Sequence, residues 1–152
     1  MPLLKDYISE VNKTKKVLSV YLTAGYPEKS SFTKLALDVL NYSDMIELGM
    51  PFSDPLADGP IIQQSSNLAI GNGITTKCVL KYCSEIKKES DKPVILMGYA
   101  NTILRYGVKQ FAKDAENAGA CGVIVPDIPL EEYNDFFSSD FTGLNTIMLT
   151  TP

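Results

Sequence analysis

The sequence contains no histidine, and it is short of positive charge, of cysteine and of long apolar runs. Without histidine, no Ser-His or Cys-His nucleophile can be assembled from its own residues. Proton transfer must fall to carboxylates, tyrosines or lysines. Lysine and arginine number 14 against 18 aspartates and glutamates, a formal charge of −4. A nucleic-acid footprint needs a basic patch, and the one notable basic cluster, Lys13, Lys15 and Lys16, reads as solvated surface. No stretch approaches the roughly 18 consecutive apolar residues of a membrane span. The start, Met1-Pro2-Leu3-Leu4-Lys5-Asp6, shows neither the apolar region nor the cleavage site of a secretory signal. Cys78, Cys83 and Cys121 are odd in number and lack CxxC spacing, so they are expected as buried free thiols in a reducing cytoplasm, without a metal. A glycine-rich nucleotide fingerprint is missing as well: Thr23-Ala24-Gly25-Tyr26-Pro27 is a turn, not GxGxxG.

What remains is an alternation of two kinds of segment over 152 residues, enough for one sizeable core and read as a single domain, 1–152. Short runs rich in Val, Ile and Leu predict strands at Val17–Leu22, Met45–Leu48, Pro93–Met97, Val123–Val125 and Thr146–Leu149. Between them, Phe32, Leu35, Ala36, Val39 and Leu40 repeat at helical spacing. Val79, Tyr82, Cys83 and Ile86 do the same, as do Val108, Phe111, Ala112 and Ala115, and Glu131 to Phe137 is a weaker fourth helix. Such βα alternation calls for a parallel sheet with right-handed crossovers. An open doubly wound sheet and a (β/α)8 barrel, or a piece of one, both satisfy it. Residues suited to an interior role at the strand ends favour the barrel.

The chemistry concentrates in Ile46-Glu47-Leu48-Gly49-Met50-Pro51-Phe52-Ser53-Asp54-Pro55-Leu56-Ala57-Asp58-Gly59-Pro60. Side chains alternate along a strand, so Ile46 and Leu48 facing covering helices would turn Glu47 to the other side, near the strand's C-terminal end. An interior carboxylate is costly unless paired or used, and barrel enzymes keep their catalytic groups at that end. Glu47 is therefore either a catalytic group or half of a structural ion pair. Three prolines stiffen the loop that follows. Asp58 precedes a helical pattern, so a helix-cap role competes with a functional one.

The run from Glu47 to Gln63 resembles the signature of the tryptophan synthase α subunit family. Tyr21-Leu22-Thr23-Ala24-Gly25-Tyr26-Pro27, Met97-Gly98-Tyr99-Ala100-Asn101 and Val125-Pro126-Asp127-Ile128-Pro129-Leu130-Glu131-Glu132 resemble, in order, the ends of its first, third and fourth strands. The resemblance implies a TIM barrel and a lyase that splits indole-3-glycerol phosphate into indole and glyceraldehyde 3-phosphate. It assigns general acid-base work to Glu47 and the indole N–H to Asp58. Tyr21, Met97, Tyr99, Ile124 and Pro126 fall on the indole pocket, although the two tyrosines also read as ordinary core. Pro51, Phe52, Ser53, Asp54, Pro55 and Asn101 fall on the contact with a partner β subunit, and Asp127 lies near both. No cofactor is implied here; pyridoxal phosphate belongs to the β subunit of an α2β2 complex. Thr150-Thr151-Pro152 resembles the end of the fifth strand and nothing matches strands six to eight. The expected architecture is thus an incomplete barrel of about five βα units, truncated at its C-terminus and lacking the family's phosphate-binding loops. A non-catalytic module that binds and stimulates the β subunit is the alternative function.

Overall fold

The computed structural model describes residues 4–137 and 139–149. Thr150–Pro152, read as the end of the fifth strand, and Met1–Leu3 of the N-terminal reading lie outside the described residues. The five apolar runs form strands β1 (Ser19–Thr23), β2 (Met45–Gly49), β3 (Val94–Met97), β4 (Gly122–Ile124) and β5 (Asn145–Ile147). The boundaries differ from expectation by one or two residues. Pro93 has no N–H to donate and stays outside β3, although its carbonyl accepts from the Ile46 N–H at 3.2 Å.

All four pairings are parallel, and the strands lie side by side in chain order. That order separates the two architectures. A doubly wound sheet reverses direction at a switch point and carries helices on both faces. Here every crossover advances one strand in the same sense, so right-handed connections stack the helices on one face. The fold is five βα units of a (β/α)8 barrel type, not an open doubly wound sheet.

The outer face holds most of the core. Ile46, Leu48, Val94, Leu96 and Val123 are fully buried against helices α2 (Phe32–Leu40), α4 (Thr76–Glu89) and α6 (Val108–Asn117), which supply Phe32, Ala36, Val79, Cys83, Ile86, Phe111 and Ala115. Burying one such aliphatic side chain contributes about 1.5–3 kcal/mol. A smaller cluster lies on the inner face: Met45, Ile95, Cys121 and Ile124, joined by Leu4 from α1 (Leu4–Val11). Tyr7 of α1 donates to the Asp44 carbonyl at 2.8 Å. The Asp44 carboxylate accepts from the Leu18 N–H at 2.9 Å and pairs with Lys15 at 2.6 Å, tying the start of β1 to the start of β2. Lys15 is thus an ion-pair partner as well as a surface lysine, while Lys13 pairs on the surface with Glu10.

α3 (Pro60–Gly71), α5 (Ala100–Tyr106) and the short α7 (Tyr133–Phe136) complete the helices. The weak Glu131–Phe137 pattern resolves into a 3-10 turn, Leu130–Glu132, followed by α7. Among the cysteines, Cys83 and Cys121 are buried, but Cys78 is only half-buried, which corrects the expectation of three buried thiols. Among the described residues, no helix is long and apolar enough to cross a membrane.

Candidate active site

The register determines which side chains share the inner face. Tyr21 pairs with Glu47 and Glu47 with Ile95, while Gly49 pairs with Met97 and Met97 with Ile124. With Ile46 and Leu48 buried outward, Glu47 points inward, as its position between them predicts. Its Oε1 accepts a 2.7 Å hydrogen bond from Ser19 Oγ on β1. None of the ion pairs among the described residues involves Glu47, so the ion-pair alternative is not what the fold builds.

Gly49 explains where Tyr21 goes. A Cβ at this position would fall on the Tyr21 hydroxyl and Cζ and 2.7 Å from Cε2, so the ring lies directly over the glycine. Burial pushes the Tyr21 hydroxyl above its ordinary range, and the negative charges of Asp58 and Glu47 add to that effect. Tyr21 therefore feels both acids.

Asp58 arrives from the loop after β2. Its N–H bonds to the Pro55 carbonyl at 2.9 Å, and the N-cap of α3 is Gly59, with Pro60 starting the helix. The cap role for Asp58 is thus not observed. Its carboxylate instead accepts from the Tyr99 hydroxyl at 2.9 Å, and the same hydroxyl takes the Ala57 N–H at 3.0 Å. Tyr99 is buried, and the Phe52 ring packs on it with centroids 5.2 Å apart. Burial, together with donation to Asp58, pushes the Tyr99 hydroxyl up to about 12, so it stays protonated and remains a donor at any working pH. One tyrosine thereby pins both the backbone and the acid of the loop. On the other side, Thr23 Oγ1 and Ser65 Oγ share a 2.7 Å bond that holds α3 to the end of β1.

Tyr21, Met97, Tyr99 and Pro126 line one narrow crevice with Asp58, Phe52 and Pro55. Of the expected pocket residues, Ile124 is buried in the inner cluster, one strand pair from the crevice, and is not in its wall. Glu47 is beside it through Tyr21 and also not in the wall. A wider open groove lies between Pro51, Phe52, Ser53 and the ends of α3, α4 and α5, but neither acid lines it.

Of the residues expected at a subunit contact, Ser53, Asp54 and Asn101 are exposed, Pro51 and Phe52 are half-buried, and Pro55 is buried under the loop. Pro55 is thus a support of the loop rather than its surface. Leu56, not singled out by sequence reasoning, projects with 83% exposure. Asp127 accepts from the Ala100 N–H at 2.9 Å and so holds the start of α5 beside Tyr99. Ser19 was likewise missed, since only the strand register brings it to Glu47. Among the described residues, no group of three or more potential ligands stands close enough to hold a metal ion.

A sequence profile of the tryptophan synthase alpha chain matches residues 8–152. The alpha chain of Petrotoga mobilis is 45% identical over 147 residues, which are 95% of this chain and 57% of that relative. The alpha chain of Flavobacterium psychrophilum is 42% identical over 146 residues, 94% of this chain and 58% of the other. Among solved structures, tryptophan synthase subunit alpha from Legionella pneumophila matches with a TM-score of 0.86 at 38% identity, over 93% of this chain and 56% of that one. The aminoacrylate-bound tryptophan synthase from M. tuberculosis gives 0.89 at 30% identity, over 97% and 61%. The chain therefore spans a little under three-fifths of the curated relatives quoted. Strand order, the inward glutamate, the loop acid and these likenesses agree, and the chain belongs to the tryptophan synthase alpha chain family.

Proposed function

We propose that the chain carries the acid-base half of a carbon-carbon lyase site that cleaves indole-3-glycerol phosphate to indole and glyceraldehyde 3-phosphate. The observation that carries this reading is that Tyr21 meets both carboxylates: Glu47 in register with it on β2, and Asp58 from the following loop in the wall of the same crevice. The bond to be broken joins ring carbon C3 to the glycerol chain. A carboxylic acid at Glu47 delivers its proton to C3, and the ring nitrogen takes up the positive charge. The resulting carboxylate removes the proton from the adjacent hydroxyl. As the aldehyde forms, the C–C electron pair moves into the ring and neutralises the nitrogen. One proton is given and one recovered, so Glu47 ends as it began. Asp58, held by Tyr99, supplies a fixed negative charge beside the ring N–H, where it stabilises the charged transition state more than the neutral substrate.

The working partner is a β subunit carrying pyridoxal phosphate, which consumes the indole. Exposed Ser53, Asp54, Asn101 and Leu56 form the surface for it. That projecting loop also favours a second reading, a module that stimulates the β subunit without chemistry of its own. Glu47→Gln separates the two. For the lyase, indole release falls by about three orders of magnitude, within the range of general acid-base contributions, while substrate affinity is kept. Stimulation of β-subunit turnover that survives the mutation, with no indole released by the native chain, establishes the module and overturns the lyase. Native-like turnover in Glu47→Gln removes Glu47 from the mechanism.

A further inference from the structure

Ser19 stands two residues before Tyr21 on the inner face of β1, in register with Met45. Its Oγ donates to Glu47 Oε1 at 2.7 Å. Glu47 Oε2 makes no hydrogen bond among the described residues, and no cation pairs with the carboxylate. The in-register neighbours Tyr21 and Ile95 flank the side chain without donating to it. Ser19 is thus the one hydrogen-bond donor to Glu47 among the described residues.

We propose that Ser19 is a positioning residue for Glu47: it anchors one carboxylate oxygen and leaves the other to carry the proton. The inference rests on the lyase reading and deepens it. A glutamate has three side-chain torsions, and an untethered carboxylate spreads over their rotamers. The proposed cleavage asks one carboxyl group to serve two neighbouring atoms in turn, C3 and the hydroxyl oxygen. With Oε1 tied to β1, Oε2 becomes the oxygen that gives its proton to C3 and then accepts the hydroxyl proton. Ser19 keeps its own proton throughout, so the balance of the reaction is unchanged. A serine that merely solvates an interior carboxylate would share the bond but not these consequences.

Three proteins test this: the native chain, Ser19→Ala and Ser19→Thr, assayed for indole release with and without the β subunit. Ser19→Ala lowers kcat by about tenfold, the range for losing a hydrogen bond to a charged group, with KM changed by less than about twofold. Ser19→Thr keeps the hydroxyl and restores kcat. An unchanged or raised kcat in Ser19→Ala overturns the proposal. A second readout needs no activity: the carboxylate stretching band of 13C-labelled Glu47 in the infrared, identified by its loss in Glu47→Gln. The band shifts in Ser19→Ala and returns in Ser19→Thr, and a band that stays put overturns the proposal. If the native chain releases no indole, the lyase reading fails alone, and the infrared band decides whether Ser19 holds Glu47.

Discussion

Substituting Gly49 by alanine tests the packing logic of the site with a single methyl group. The Cβ would lie 2.7 Å from Tyr21 Cε2, whereas ordinary contact begins at 3.4 Å. Even that ring carbon must retreat by about 0.7 Å, and the hydroxyl, on which the methyl falls, must retreat further. The backbone of β2 cannot give way, because Ile46 and Leu48 are fully buried on its other side. Tyr21 is therefore displaced from the crevice. Overpacking of this kind costs about 1–3 kcal/mol. The lower unfolded-state entropy of alanine offsets about 0.4–1 kcal/mol of that. A net loss of about 1 kcal/mol lowers Tm by about 2–4 °C for a domain of this size, and indole release falls further because the crevice loses a wall. Thermal unfolding of a double-mutant cycle checks the cause. Gly49→Ala costs about 1 kcal/mol in the native chain and essentially nothing, or a slight gain, when Tyr21 is already alanine. An equal cost in both backgrounds refutes the account, since the clash would then lie elsewhere.

Removing the Tyr99 hydroxyl with Tyr99→Phe leaves the Asp58 carboxylate and the Ala57 N–H without their partner. Stability falls by about 1–3 kcal/mol and kcat falls with it; a variant of native Tm and native turnover sinks the role given to Tyr99. The Asp44 carboxyl is held below its ordinary value by Lys15 and by the Leu18 N–H. A depressed folded value gives stability that is present above the ordinary value of 3.8 and is lost as pH falls through the folded one. Asp44→Asn accordingly flattens that acid limb of a pH-dependent unfolding series, and an unaltered limb contradicts the assignment. Cys78, lowered by its hydrogen bond with Thr75, reacts first with iodoacetamide. Burial pushes Cys83 up to about 12 and Cys121 up to about 11, and both label only after unfolding. Mass spectrometry of the folded chain labelled first at Cys83 would refute this order.

All five strands were legible because β-branched and aliphatic runs between turn residues leave few alternatives at that length. The inward turn of Glu47 followed from Ile46 and Leu48 alone, since alternation is a local property. α1 was overlooked although Leu4, Tyr7, Ile8 and Val11 do repeat at helical spacing over its eight residues. α5 was hidden for a different reason. It runs for seven residues, and the acceptor for its Ala100 N–H is Asp127, 27 positions away. Asp58 was ambiguous for the same cause: a cap is local, whereas its actual partner Tyr99 lies 41 positions on. Ser19 and the Tyr21–Gly49 contact depend on strand register, which no single stretch of sequence contains. The βα alternation alone left the barrel and the doubly wound sheet open; the family resemblance pointed to the barrel, and the strand order bears that out.

That order, with every crossover helix on one side, has a consequence for how such a chain can change over generations. Even-numbered positions of β2, such as Ile46 and Leu48, hold the molecule together, while the odd ones, such as Glu47 and Gly49, face the shared interior. Selection on thermal robustness and selection on the reaction therefore act on interleaved, nearly separate sets of residues. A new substrate preference can arise by exchanging inward side chains and loop tips while the outward set stays as it is.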